Sequence, residues 1–459
     1  MKLLSTLLIS IIVLSSCHEN EEFDLIIINA NVLDVNLGKQ KEGQTICIKN
    51  GTFSKILSNV QHLKSKNVID AEGKLVTPTF IDTHIHPISE FSDGNYDLVP
   101  DTIPSDSIAY YRENLTDGYL PDGTTTVLMM GHPDSWTDEF LNWSKNPNPN
   151  HVDVYTCGGA LATEDDNTYK GHLRVSNPIA AKKQIIEYHK KGIQHLKLYW
   201  RLKEPEFKSI RETADSLNMK MYAHSGGFFD PTQLTVYQAM EMGIRNFEHI
   251  AILPCSVFDN KDWEIIHEQY QEHFGAVKGE GLHLSLLYIL ETFKHANEYK
   301  RDSLIHLIDK MAENQCNIST TIGWVYKTYH DTFFAKAKIS NLSHEQYQRC
   351  HENFKILMDY LNMIHKKGIP IRIGSDTNPG GKIVLLEIKL MAQYGMGMEH
   401  ALKIGTINGA EAMGISDNTG SIEKGKEANF IIWDKSPFVD ENNLLGAKDI
   451  FKNGKLINS

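Results

Sequence analysis

Between Phe80 and Thr377 the chain alternates β-rich runs with helical ones, and that alternation limits the fold more than any other feature. Strands separated by helices pair side by side in a parallel sheet. The runs that read as strands are FIDTHIH (80–86), TTTVLMMG (124–131), HVDVYTCGG (151–159), HLKLYW (195–200), KMYAHSG (220–226), NFEHI (246–250), CNISTTIG (316–323) and IPIRIGSDT (369–377). Eight runs are the number that closes a TIM-type barrel, so the expected class is α/β, a (β/α)8 barrel. Among the intervening helices the clearest begins at Ser343 with the capping-box pattern Ser-His-Glu-Gln. It carries Tyr347, Phe354, Leu357, Leu361 and Ile364 at helical spacing and stops at Gly368 before Pro370. Residues 251–315 form an insertion between the sixth and seventh runs, with a long amphipathic stretch from His283 to about Asn314. Such a segment serves either as a lid at the barrel mouth or as added packing.

The two ends have a different texture. From Phe23 onward, DLIIINANVLDV, QTICIKNGTFSKIL and NVIDAEGKLVTPTF are β-branched runs broken by Asn, Gly or Pro, and GSIEKGKEANFIIWD and AKDIFKNGKLIN repeat that pattern near the other end. One small β-sandwich domain built from residues 17–76 and 412–459 is expected, flanking a barrel at 77–411.

The opening MKLLSTLLISIIVLSSC places Lys2 before an apolar run from Leu3 to Leu14 and then small residues, the pattern of a secretory signal peptide over residues 1–16. It falls short of the roughly 20 apolar residues a stable membrane span needs. Leu14-Ser15-Ser16-Cys17 resembles the bacterial lipoprotein box. That resemblance implies lipidation at Cys17, a bacterial cell-envelope location in the periplasm or at the cell surface, and membrane contact only through the lipid; a plain cleaved signal would leave Cys17 incidental. The other cysteines, at 47, 157, 255, 316 and 350, form no CxxC pair, so they suit neither a disulfide framework nor a cysteine zinc site and read as small buried apolar residues. A formal net charge of -12 gives the chain no general attraction to phosphate backbones or anionic lipid, which excludes nucleic acid as an expected partner.

In a barrel of this kind chemistry gathers at the C-terminal ends of the strands. His84 and His86, two apart, share one strand face while Ile81 and Ile85 take the other. Two imidazoles on one face suit a metal, although a short pair also arises by chance. The fourth run carries Lys197 between two leucines, pointing inward with Tyr199; the fifth ends in His224, the sixth in His249 and the eighth in Asp376. A lone buried ammonium is costly. The cost disappears if a neutral lysine has taken up carbon dioxide as a carbamate bridging two cations, whereas an unmodified lysine paired with a carboxylate reads identically in sequence.

This set, together with VTPTFIDTHIHP, GTTTV at 123–127, GSD at 374–376 and TINGAEAMGISDNTGSIEKGKEANFIIWD at 406–434, resembles the amidohydrolase superfamily, in its binuclear subtype with a carboxylated lysine. Thr79 stands where that family usually has glycine. The resemblance runs from about Asp24 to the end, and KLYWRLKEPEFKSIRETADSLNMKMYAHSGG looks most like imidazolonepropionase-related and prolidase-like members. It implies two divalent metal ions. His84, His86 and Asp376 would bind the first, His224 and His249 the second, and Lys197, carbamylated by CO2, would bridge them. Zinc is the expected ion, with manganese, iron and cobalt compatible. It further implies Asp376 as the catalytic proton carrier and a metal-activated hydroxide that attacks a C–N bond. The expected substrate is an amide in a small molecule, dipeptide or N-acyl amino acid.

Tyr199, Arg201, His132 and Trp324 are candidate substrate contacts, with Phe228 and Tyr326 further candidates for the lining. Arg372 would point inward below Asp376, an awkward placement that suggests a bulge in the eighth strand. A mononuclear deaminase is disfavoured because Ser-Gly-Gly-Phe-Phe-Asp, without a glutamate, follows His224. Sequence does not separate a phosphotriesterase or lactonase from an amidase. A non-catalytic ligand-binding lipoprotein would have no use for the complete ligand set with Asp376. Homo-oligomerisation is left open.

Overall fold

A computed structural model describes residues 22–58, 63–91, 99–163, 170–226 and 233–457. The signal segment with Cys17, and Phe228, lie outside the described residues.

The strand-rich ends meet in one mixed sheet of eight strands. Leu25–Asp34, Lys39–Lys49, Thr52–Leu57, Val68–Asp70 and Leu75–Pro78 come from one end, and Phe430–Trp433, Lys448–Lys452 and Lys455–Leu456 from the other. Two Asn-Gly pairs make its tight turns, with φ positive at Asn50 (52°), Gly51 (76°), Asn453 (49°) and Gly454 (71°), the backbone that hairpins favour. Leu75–Pro78 pairs antiparallel with Phe430–Trp433, and the Trp433 indole donates to Thr77 Oγ1 at 2.9 Å. The sheet then folds over one apolar core, bringing Phe53 from its far strand within 5.9 Å of Phe430 and bonding Phe53 N to Lys426 O at 2.9 Å. The two layers expected of a sandwich are thus halves of one continuous sheet.

The middle of the chain is α/β, with parallel strands separated by helices. One three-stranded sheet holds Asp153–Thr156, Thr124–Met129 and Phe80–Ile85 in that order. A seven-stranded sheet runs His172–Val175, Ala160–Thr163, His195–Leu198, Lys220–Ala223, Asn246–Phe247, Asn317–Ser319 and Ile371–Arg372. Each expected run contains a strand, shorter than the apolar stretch around it, while Ala160–Thr163 and His172–Val175 were not expected. Backbone bonds pass between the two sheets: Thr83 N to Ile373 O and Asp376 N to His84 O, each 2.9 Å.

The insertion is three helices, Asn260–Phe274, Gly281–Tyr299 and Arg301–Glu313, so the amphipathic stretch from His283 is two helices broken at Lys300. The fully buried Glu291 anchors the middle one to helix His344–Lys366: Arg349 grips it through both guanidinium arms (2.8 and 2.6 Å) and Asn353 Nδ2 donates at 2.8 Å. Satisfied in this way, a buried carboxylate is tolerated. Cys47, Cys157, Cys255, Cys316 and Cys350 are all buried free thiols. Among the described residues no helix is long and apolar enough to cross a membrane.

Candidate metal centre

His84, His86, Lys197, His224, His249 and Asp376 converge on one cavity of about 540 Å³. Asp376 is the hub. Its Oδ1 lies 3.3 Å from His86 Nε2 and 3.5 Å from His84 Nε2, and its Oδ2 lies 3.7 Å from His249 Nδ1. The His84 and His224 rings each sit 4.6 Å from that of His249. One ligand atom each from His84, His249 and Asp376 falls within 4.8 Å of the others, so the carboxylate spans both expected ligand groups.

The local backbone aims these groups. His249 (φ 64°), Thr321 (55°) and Asp376 (52°), none of them glycine, all have positive φ, which is costly for a β-branched threonine and marks a site fixed by its surroundings. Thr321 Oγ1 lies 3.1 Å from His249 Nδ1. Asp82 Oδ1 accepts from the backbone N–H of His84 (3.0 Å) and of Ser375 (3.1 Å), tying the first strand to the eighth. Gly374 has no spare room, because a Cβ there would come within 2.5 Å of His84 Cβ. Gly374→Ala is therefore expected to displace His84 and lower turnover about 100-fold while far-ultraviolet circular dichroism stays unchanged.

Burial, reinforced by the Lys197 charge, holds the His84 imidazole well below its usual range and brings His86 to about 4. Burial likewise dominates at His224 and His249, so all four rings are neutral and free to donate lone pairs. Burial also pushes Asp376 up to about 8 and draws the Lys197 ammonium down against the opposing pull of Glu248 and Asp376. Lys197 Nζ and His84 Nε2 are buried without a hydrogen-bond partner in the protein. Two orphaned polar atoms beside neutral imidazoles and a carboxylate make a donor set that fits divalent cations.

Glu248, not singled out in the sequence, orients His84. It is fully buried, binds His84 Nδ1, accepts from Ser319 Oγ at 2.8 Å, and forms an ion pair with Arg372. Burial alone would raise its pKa, but the Arg372 guanidinium and Lys197 hold it lowered. An ionised Glu248 keeps the His84 proton on Nδ1 and leaves Nε2 open toward Asp376. Gly131 O, 3.1 Å from His86 Nδ1, sets the same tautomer there. Arg372 does point inward, as alternation requires. Its burial is met by Glu248, by Thr83 Oγ1 at 3.0 Å and by Phe247 O at 3.2 Å, with no bulge needed to turn it away.

Of the candidate substrate contacts, Tyr199 and Trp324 line the cavity. His132 does not. It is fully buried between Pro133 O (2.9 Å) and Thr156 Oγ1 (2.6 Å). Arg201 is also outside the lining and lies over the Trp200 ring at 4.4 Å, because a turn at 200–201 ends the strand alternation that would have aimed it inward. Tyr326 is likewise absent from the lining and stacks on His330. His172, on one of the unexpected strands, does line the cavity, with its ring 4.0 Å from Tyr199. The insertion contributes Leu282, His283 and Leu286, so its middle helix is a cavity wall.

A second buried acid braces the site from behind. Glu387 accepts from Thr320 Oγ1 and from Gly323 N at 2.9 Å, fixing the turn that carries Thr321, and burial pushes its carboxyl up to about 8. A raised folded-state value favours folding while the group is protonated. That contribution is full below the ordinary 4.5 and fades as pH rises through about 8. Glu387→Gln should remove this decline, which urea melts at pH 5, 7 and 9 would read.

The Amidohydrolase family model matches residues 290–457. An imidazolonepropionase of Shewanella baltica (strain OS185) is 35% identical over 105 residues, covering 21% of this chain and 26% of the relative. The chain therefore aligns with about a quarter of the length of the curated relatives it matches. A prolidase crystallised with N-methylphosphonate-L-proline has TM-score 0.66 at 17% identity, over 95% of this chain and 99% of that one. A Xaa-Pro dipeptidase with bound methionine has TM-score 0.65 at 18% identity, over 95% of this chain and 100% of that one. Over residues 290–457 the chain is similar to the amidohydrolase family. The chain shares its α/β architecture and separate sheet domain with those neighbours; at such identities the likeness is one of fold. The family match takes in Asp376 and the C-terminal sheet strands, while His84, His86, Lys197, His224 and His249 lie before it.

Proposed function

We propose that the protein is a metal-dependent hydrolase that cleaves a carbon–nitrogen amide bond in a small molecule, dipeptide or N-acyl amino acid. The observation that carries this reading is the unpartnered, buried Lys197 Nζ among four neutral imidazoles and Asp376. His84, His86 and Asp376 would hold one divalent ion, His224 and His249 a second, zinc being the expected metal, with Lys197 as a carbamate between them. Bound there, the ions would supply Lewis acidity that activates water and polarises a carbonyl. Asp376, within 3.3–3.7 Å of three imidazoles, would take the proton of the attacking water and deliver it to the leaving amine nitrogen. Glu248 holds His84 in its working tautomer throughout, and the hydrophobic walls limit competing water. The test is zinc content by plasma mass spectrometry together with amine release from dipeptides and N-acyl amino acids. Release of amine with two zinc ions bound supports the reading; turnover confined to lactones or phosphotriesters would replace it.

We also infer that the two parallel sheets form a single closed eight-stranded barrel. The Thr83–Ile373 and His84–Asp376 backbone bonds support one seam. At the other, Cys157 N bonds Met129 O (2.9 Å) within the first sheet and Tyr199 N bonds Leu161 O (3.0 Å) within the second, so Asp153–Thr156 and Ala160–Thr163 would join them as one interrupted strand, with His172–Val175 added outside the eight. Export and lipid anchoring at Cys17 are proposed on the opening segment, and the mass of the mature N-terminal peptide tests them.

A further inference from the structure

The imidazoles, Lys197 and Asp376 gather at the strand ends, whereas the insertion gives the cavity a run of leucine and isoleucine beside Glu280, His283 and Ser285. Leu282, Leu286 and Ile289 stand four and three residues apart on Gly281–Tyr299, which places them on one face of that helix, and all three line the cavity. Leu282 remains 42% exposed, an apolar side chain open to the same space as the imidazoles. Ile252, Trp324 and Val325 extend the apolar lining. A small, wholly polar substrate would leave this surface wet. A substrate with an apolar tail would cover it while its amide reaches Asp376.

We propose that this face is a specificity subsite, and that the substrate carries a linear or aromatic apolar group of several carbons next to the scissile amide. The inference rests on the hydrolase reading of the same cavity and names its substrate class. The cavity volume of about 540 Å³ lies within the range of pockets that enclose ligands of drug size, larger than a small polar amide requires. The hydrophobic gain per methylene makes the proposal quantitative.

Calorimetric titration of the zinc-loaded protein with acetate, butanoate, hexanoate and octanoate varies tail length alone. The dissociation constant is expected to fall about tenfold for every two methylenes. Leu282→Asp, at an exposed position, is expected to abolish most of the octanoate gain and leave acetate unchanged, and Leu286→Ala to reduce the gain. Affinity independent of chain length, or an unchanged slope in both variants, overturns the subsite. Amine release from N-acetylglycine and N-octanoylglycine is measured beside it. Chain-length-dependent binding with no release from either would sink the hydrolase and leave the subsite standing; release with flat binding would do the reverse.

Discussion

Lys197→Ala protein, loaded with zinc in bicarbonate, is expected to hold no more than one metal ion per chain against the two expected of the parent, and to lose about three orders of magnitude in turnover. The magnitude follows from the position of the Nζ. It is buried in the same cavity lining as the imidazoles, without a hydrogen-bond partner in the protein, and feels the charges of Glu248 and Asp376. Truncation removes a group placed, with Asp376, to join the two sets of imidazoles and opens a small void against them. Because the lost function would be that of a carboxylate, propionate in the buffer should restore part of the activity to Lys197→Ala and none to the parent. Two ions per chain in the variant, with turnover intact, would show that the lysine is an ordinary buried cation.

Glu248→Ala is expected to lower unfolding free energy by about 3–5 kcal/mol, because it strands a buried guanidinium. Metal affinity should fall roughly 10- to 100-fold in the same variant, since the His84 ring loses the group that fixes its tautomer. The two effects separate in a double variant. Glu248→Ala combined with Arg372→Met removes both buried charges and should recover much of the stability seen in urea melts, yet leave metal affinity low. Equal recovery of both would mean that Glu248 acts on His84 only through packing.

That His84, His86 and Lys197 face one cavity was legible in the sequence because strand alternation and strand ends are local properties: two histidines two apart, and a lysine flanked by leucines, need no knowledge of the rest of the chain. Glu248 was not legible for the opposite reason. Its role depends on Arg372, 124 residues away, whose inward position looked unfavourable only while its partner was unknown. Each charge resolves the other's burial. The weak signal was present, an acid beside His249 within an apolar run. Arg201 falls outside the lining because alternation was extended past the point where the backbone turns, and His132 because following the second strand fixes a residue's place in the chain and not the direction of its ring, which bonds Pro133 O and Thr156 Oγ1 instead. The extra strands Ala160–Thr163 and His172–Val175 were missed because four-residue segments such as ALAT have little β-branched character, and pairing with neighbours overrides that propensity.

The composite sheet also dictates an order of events during biogenesis. Thr77 and Trp433, bonded to each other, stand 356 residues apart. At ordinary translation rates roughly 20–70 seconds pass between making the first and the second. Throughout that interval the edge of Leu75–Pro78 waits unpaired, with backbone donors and apolar side chains open to any other strand. A nascent chain of this design is open to edge-to-edge pairing at that strand until Phe430–Trp433 has been made.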